Sequence, residues 1–230
     1  MKKFSIIMLI LLAACTFIFA GSLPDEVMSI RAVGDYRQMT STAAGQKSVN
    51  KLLGAGVAFD YDLYLNNYVG FFFDFGLTVP VKSTVDGVSQ AFEYRDFPVY
   101  TQMGLVGRMP ASNTLGLDFR FGIGIVYDKA TSYGTYTEID TRSAYYIIYQ
   151  KYTLSKIECQ LVAGLGVYAN LDAEGDFGVR VGAMAAYTFA TGLYNKENGT
   201  RYNDQVADLK RVGFEIQPYV ALTFGFGSSN

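Results

Sequence analysis

Long stretches of this 230-residue chain alternate between apolar residues and residues that are small, polar or charged. In 211–227, RVGFEIQPYVALTFGFG, every second residue from Val212 to Phe226 is apolar, Glu215 and Gln217 lie between them, and Arg211 precedes them. A period of two indicates a β-strand. Strands of soluble sheets are usually about five or six residues long, whereas a tilted strand that crosses a bilayer needs about 9–11. The length of this apolar face therefore predicts contact with lipid.

The same alternation recurs along the chain. The other predicted strands are 27–38, 51–65, 68–81, 96–108, 115–128, 157–167 and 179–189. Short turns at 66–67, 109–114 and 172–176 separate them from longer outer loops at about 39–49, 82–95, 129–153 and 190–209. Alternating short and long connections are typical of outer-membrane barrels, whose short turns face the periplasm. The pattern predicts an all-β fold, an eight-stranded antiparallel up-and-down transmembrane β-barrel with periplasmic N- and C-termini.

Charged residues of both signs share the predicted inward face with glycines. The expected lumen charge network is Arg31, Asp60, Asp74, Asp118, Arg120, Glu158, Arg180 and Glu215. Further inward charges are Arg37, Asp62, Arg108 and Arg211. A buried charge is costly unless it is paired, so the near-equal numbers of each sign predict ion pairs. An eight-stranded barrel has an interior that side chains just fill. We therefore expect a narrow, largely plugged lumen with little stable conductance.

Composition agrees with a barrel and excludes several classes of protein. Half of the residues are apolar or aromatic, yet only the N-terminus carries a long unbroken apolar run. The net charge is −2 and the cations are scattered, so no basic surface for nucleic acid is expected. The chain contains no histidine. Because catalytic outer-membrane barrels as a class rely on histidine for proton transfer, we expect no enzymatic activity, no catalytic residue, no metal site and no cofactor.

Residues 1–20 have the features of a signal peptide. Two lysines precede an apolar core, and Ala20 precedes Gly21 at a cleavage site of small residues. The alternative is lipoprotein processing at Cys15, which follows Leu-Ala-Ala, although the segment after Cys15 is still apolar instead of a polar tether. Residues 21–230 then form a single barrel domain. We expect export to the outer membrane of a diderm bacterium, with outer-membrane lipids and the assembly machinery as partners.

Aromatic residues are abundant near both predicted ends of the strands. Those near the short turns are Tyr61, Tyr64, Tyr68, Phe119 and Phe226, and those near the loops are Tyr127, Tyr187 and Phe189. This distribution predicts aromatic girdles at the two membrane interfaces. The segment 129–153 is rich in tyrosine, and two interpretations remain open for it. It extends the strands beyond the membrane, or it caps the barrel mouth and contacts a partner.

Pro218 stands in the middle of the last strand, where it cannot donate a ladder hydrogen bond. The segment Ile216-Gln217-Pro218-Tyr219-Val220, followed by alternating apolar residues, resembles the final strand of the outer membrane protein W family. A spirochaete-type branch of small outer-membrane barrels is equally similar. The chain departs from the family pattern because it has no tryptophan and continues to Asn230 after its last aromatic residue.

The resemblance implies a function that the alternation of residues does not. Members of the family are thought to pass small hydrophobic molecules sideways into the bilayer, so it implies a gap in the barrel wall at Pro218. An apolar ligand pocket in the upper lumen would consist of Phe72, Tyr100, Val106, Val162 and Met184. The first hypothesis is therefore an outer-membrane barrel that binds or admits a small hydrophobic molecule.

Two other hypotheses remain open. In one, the barrel is a scaffold whose loops bind host surface factors, as in an adhesin, with no transport role. In the other, the chain is a soluble ligand barrel of lipocalin type, which would need an apolar interior and a polar exterior.

Overall fold

The computed structural model describes residues 23–43, 45–90, 97–112, 114–138, 146–172, 176–195 and 210–228. The regular elements in these ranges are strands: β1 (Pro24–Ala43), β2 (Gln46–Tyr64), β3 (Val69–Val85), β4 (Val88–Gln90), β5 (Val99–Pro110), β6 (Leu115–Glu138), β7 (Tyr146–Asn170), β8 (Phe177–Asn195) and β9 (Lys210–Ser228). Within the same ranges, no helix is long and apolar enough to cross a bilayer.

Eight of these strands close into a barrel. The ladder runs β1–β2–β3–β5–β6–β7–β8–β9, all antiparallel, and β9 returns to pair with β1. The short β4 pairs only with the end of β3. Within the described residues, closure gives every barrel strand two neighbours, so the ring itself has no open edge, whereas the extensions of β6 and β7 beyond the ring pair only with each other. The predicted eight-stranded antiparallel barrel is confirmed.

The short connections lie together at one end of the barrel, which we call the turn end. They join β2 to β3, β5 to β6 and β7 to β8. The Asn66 side chain accepts hydrogen bonds from the backbone N–H groups of Tyr68 (2.8 Å) and Val69 (2.9 Å), which closes the first of these turns. Pro24 of β1 lies opposite Ser228 of β9 at the same end. We call the opposite end, where the longer connections lie, the hairpin end.

At the hairpin end the strands are longer than predicted. The first strand is not 27–38 but Pro24–Ala43, and its pairing with β2 continues to Ala43 opposite Gln46, so 39–49 is a hairpin and not a loop. Sequence alternation weakens here because neither face needs to be apolar outside lipid. Backbone hydrogen bonds continue the ladder without it.

The other three predicted loops are also partly strand. In 82–95, β3 reaches Val85 and turns through Asp86 and Gly87, which both have positive φ, into β4. In 129–153, β6 continues to Glu138 and β7 begins at Tyr146. β8 extends into the predicted loop 190–209 as far as Asn195. The rest of these segments, 91–96, 139–145 and 196–209, lies outside the described residues.

The barrel exterior carries a broad apolar belt. Phe59, Phe121 and Leu165 are 60%, 63% and 62% exposed. On β3 the outward side chains from Phe71 to Val81 are apolar. That span is roughly 33 Å along a strand, or about 25 Å along the barrel axis at a tilt of about 40°. A height of about 25 Å is that of the apolar band of transmembrane barrels.

The interior is polar and charged, as the alternation predicted. Buried side chains there include arginines, aspartates and glutamines as well as a smaller apolar cluster. This distribution is the reverse of that in a soluble ligand barrel with an apolar interior. It contradicts the lipocalin-type hypothesis within the described residues.

Candidate functional site

A cluster of seven buried charges fills the middle of the lumen, and we call it the central charge cluster. Its members come from five strands and are Arg31, Asp60, Asp62, Asp74, Asp118, Arg120 and Arg180. Arg120 binds Asp60 and Asp62, each at 2.8 Å, and Arg180 binds Asp62 at 3.0 Å and Asp118 at 3.3 Å. Arg31 pairs with Asp74 and lies 3.6 Å from Asp60. The cluster therefore ties β1, β2, β3, β6 and β8 together across the bore.

Glu158 and Glu215 belong to a second group nearer the hairpin end. There Arg37 binds Asp35 at 3.1 Å and Glu215 at 3.2 Å, and Lys156 binds Glu158 at 3.3 Å. Gln160 donates to Glu215 at 3.0 Å. In the structure, the residues of the single predicted network are therefore divided between two layers. The register between strands sets the position of each residue along the barrel axis. Alternation along a single strand carries no information about that position.

Aromatic rings cover the faces of three inward guanidinium groups. The Arg108 guanidinium carbon lies 3.7 Å from the centre of the Tyr64 ring. The corresponding carbons of Arg31 and Arg120 lie 5.0 Å from Tyr219 and 5.3 Å from Phe72. Tyr64 is 4% exposed, so its assignment to an interfacial girdle was wrong. Tyr64 lies two residues after Asp62 on β2, so alternation alone indicates that it points inward. Its position among other aromatic residues near the turn led to the girdle assignment.

Inward glycines leave space for the large groups opposite them. A Cβ atom added at Gly182 would lie 2.7 Å from the Tyr219 hydroxyl, and one at Gly76 would collide with the Tyr100 ring. A Cβ atom at Gly166 would meet both Asp118 and Tyr219. A real Cβ cannot approach so closely, so these positions need glycine while the bore stays filled.

The five predicted pocket residues are inward but do not border an open space. Phe72, Tyr100, Val106, Val162 and Met184 are each at most 2% exposed. Phe72 packs under Arg120, Tyr100 fills the space at Gly76, and Met184 fills the space at Gly164. A ligand among them would have to displace side chains. Their role in ligand binding stays a prediction.

At Pro218 the ladder between β1 and β9 is interrupted. The pairing passes from Val33 opposite Tyr219 directly to Tyr36 opposite Ile216, without a change of register. The Pro218 ring packs toward Gly34, whose added Cβ would lie 3.1 Å from the ring Cγ. Small residues of β1, β2 and β8 surround this point and leave an outward-facing depression. Its lining includes Ala32, Gly34, Ala55, Gly56, Gly182 and Pro218. On the other side, β9 pairs continuously with β8.

The side chains of the lumen offer ion pairing and hydrogen bonding. Among the described residues, no group of three or more histidine, cysteine, aspartate or glutamate side chains is arranged to hold a metal ion. The carboxylates of the central charge cluster are instead engaged by guanidinium groups. The geometry therefore favours a rigid cross-linked plug.

Comparison with known proteins adds a set of distant structural neighbours. The outer membrane protein AlkL in lipid bilayers has a TM-score of 0.49 and 12% identity, covering 93% of this chain and 96% of its own. OprG from Pseudomonas aeruginosa has a TM-score of 0.46 and 9% identity, covering 90% and 99%. Neisserial surface protein A has 0.45 and 10%, covering 86% and 97%. No protein-family model matches the sequence, and no curated protein matches it.

Proposed function

We propose that this chain is an outer-membrane β-barrel of a diderm bacterium, with the turn end in the periplasm and the hairpin end at the cell surface. The apolar belt around a charged interior supports insertion into lipid. A closed barrel is one of the few folds that leave no backbone group unpaired there. The signal peptide predicted at 1–20 would direct export, and the outer-membrane assembly machinery would insert the chain.

Spin labels test the insertion. Labels at Phe73, Ile123 and Leu222, on three strands of the belt, should report contact with acyl chains in reconstituted vesicles. Matched labels at Lys47 and Ser89, which are exposed at the hairpin end, should report water. Water contact at the three belt positions would refute the proposed insertion.

Within that setting, we infer that the barrel is a scaffold that presents its hairpin end to partners outside the cell. The observation that carries this inference is the length of the β6–β7 ribbon. Its pairing continues for eleven residue pairs beyond Tyr127 in the belt, from Asp128 opposite Lys156 to Glu138 opposite Tyr146. Eleven residues span about 36 Å along a strand. The bore is plugged without this ribbon, and the length of the ribbon supports a role beyond the membrane surface.

The test replaces 131–152 with a two-residue turn and leaves the belt part of β6 and β7 in place. The shortened chain should still fold, because its ion-pair clusters lie nearer the turn end than the deleted segment. Heat-modifiable migration in detergent gels measures the folding. Binding of whole cells to host cells or matrix should fall strongly. Unchanged binding by a folded, surface-exposed deletion variant would contradict the scaffold function.

Binding or passage of a small hydrophobic molecule is the second candidate function. The interrupted ladder and the depression at Pro218 favour it, and so does the resemblance of this segment to the outer membrane protein W family. The buried residues Phe72, Tyr100, Val106, Val162 and Met184 would have to move apart to form the pocket. Pro218→Ala should then reduce uptake of a long-chain alkane, whereas the ribbon deletion should not. Equal uptake by the wild type and by cells lacking the protein would eliminate this candidate.

A further inference from the structure

At the turn end, one inward arginine has no carboxylate partner. Arg108 is 5% exposed, and its Nε and Nη1 donate to the backbone carbonyls of Asn67 and Pro24, both at 2.8 Å. Its Nη2 is buried and makes no hydrogen bond. Within the described part of the chain, no carboxylate oxygen lies within 4.0 Å of an Arg108 nitrogen, and Asp25 and Asp62 act on its charge only from farther away. The inward arginines of the two layers, by contrast, each have an acidic partner.

Arg108 lines a small cavity at this end of the lumen. The cavity has a free volume of about 20 Å³ and is lined by Arg108 and by Arg180 of the central charge cluster, together with Tyr64, Tyr168 and Thr223. The space is sufficient for roughly one water-sized group, since a water needs about 10–15 Å³ by this measure. The residues Leu23 and Pro24 before and at the start of β1 line its outer side.

A second unpartnered donor lines the same cavity. The Tyr168 hydroxyl is buried without a hydrogen bond, and Tyr168 is 7% exposed. Gly116 accommodates this hydroxyl, because a Cβ at that position would collide with it. Arg180 binds Asp62 and Asp118 on the side of the central charge cluster. The cavity is therefore lined by two arginines and two tyrosines, and the unpartnered Tyr168 hydroxyl belongs to one of them.

We propose that this cavity, the Arg108 pocket, binds a small monoanion such as a halide or the carboxylate group of a small organic acid. Arg108 is buried with no carboxylate in direct contact, and an anion here would be paired with it at close range. It would also accept hydrogen bonds from Arg108 Nη2 and the Tyr168 hydroxyl. Charge-assisted hydrogen bonds of this kind are roughly twice as strong as neutral ones. The pocket is independent of whichever partner binds at the hairpin end.

The experiment uses the full-length barrel folded in detergent, with bromide and formate as probes. Sodium bromide or sodium formate replaces a bulky buffer anion at constant ionic strength, and the thermal unfolding midpoint is followed by heat-modifiable migration. An anion that binds only the folded state raises the midpoint in proportion to its binding. We expect a saturable rise for the wild type. Crystals soaked in bromide should give an anomalous peak beside Arg108 Nη2 and the Tyr168 hydroxyl.

Two variants separate binding from folding. Tyr168→Phe deletes one hydroxyl and should weaken the apparent affinity by about tenfold, since a hydrogen bond to a charged group has that order of effect. Arg108→Gln should abolish the saturable rise and the anomalous peak. Arg211→Gln, a matched change at the hairpin end, should leave both unchanged.

A response to formate alone would identify a carboxylate site, and a response to bromide alone would identify a halide site. No saturable rise with either probe, together with no bromide peak at Arg108, would overturn the proposal. A rise of equal size in Arg108→Gln would overturn it as well.

Discussion

At the scale of single residues, the lumen depends on inward side chains that satisfy each other. Asp62 is completely buried, and one of its oxygens accepts hydrogen bonds from Arg120 at 2.8 Å and Arg180 at 3.0 Å. Alternation on β2 predicted that Asp62 points inward. Which arginines reach it could not be predicted, because Arg120 and Arg180 lie 58 and 118 residues away in the chain.

Asp62→Asn should destabilise the barrel because it removes a hydrogen-bonded carboxylate from both Arg120 and Arg180, which keep Asp60 and Asp118 as counter-charges. A hydrogen bond to a charged group contributes about 1.5–3 kcal/mol. Urea unfolding in lipid vesicles, followed by tyrosine fluorescence, should show a loss of this order. Arg211→Gln is the matched control, because Arg211 is part-exposed and lies 4.0 Å from Glu158, so its loss should cost no more than about 1 kcal/mol. Equal unfolding free energies for the wild type and Asp62→Asn would show that the cluster does not stabilise the fold.

At the scale of elements, β9 combines the clearest sequence pattern with a local break in pairing. Its apolar alternation from Phe214 to Phe226 predicted the strand and its outward face correctly. Pro218 was identified as a residue that cannot donate to the ladder. The sequence left open which neighbour loses the bond. The register assigns the break to β1, at Gly34 and Asp35.

Pro218→Ala should restore the missing donor and tighten the pairing between β9 and β1. A net intramolecular hydrogen bond contributes about 0.5–1.5 kcal/mol, so local opening should become about tenfold rarer. Hydrogen exchange measured by NMR should slow by that factor at Gly34 and Asp35. Exchange at Val181, on the uninterrupted side of β9, provides the comparison and should not change. Exchange at Gly34 as fast as in the wild type would show that the proline does not cause the break.

Alternation with a period of two also cannot predict the two bulges of the barrel. The register between β2 and β3 shifts at Leu53 and Gly54, and the register between β7 and β8 shifts at Cys159 and Gln160. After the first shift the inward parity on β3 changes, so that Ser83 is buried. An extra residue in one strand reverses every side chain that follows it. Strand ends near the hairpin end were therefore the least accurate part of the sequence prediction.

At the scale of the whole molecule, the filled bore predicts a poor channel. The central charge cluster spans the lumen, and the interior residues Phe72, Tyr100 and Met184 are at most 2% exposed. Ions would have to pass side chains that are paired and packed. Planar-bilayer recordings of the reconstituted barrel should show little stable conductance.

The double variant Phe72→Ala/Arg120→Ala is the positive comparison for that recording. It removes an aromatic ring and the guanidinium stacked on it, 5.3 Å away, and should raise the frequency of open events if the variant folds. Folding is checked by heat-modifiable migration before recording. Large, long-lived openings of the wild type would contradict a plugged lumen.

The sequence by itself determined the strands of the belt, the direction of their side chains and the charged character of the interior. Each of these follows from a local rule, since side chains along a strand point alternately to opposite faces. Tertiary structure alone decided which charges meet, why Glu158 and Glu215 form a separate layer, and why Arg108 has no carboxylate in direct contact. These features depend on the register around a closed ring, which brings together residues that are far apart in the chain.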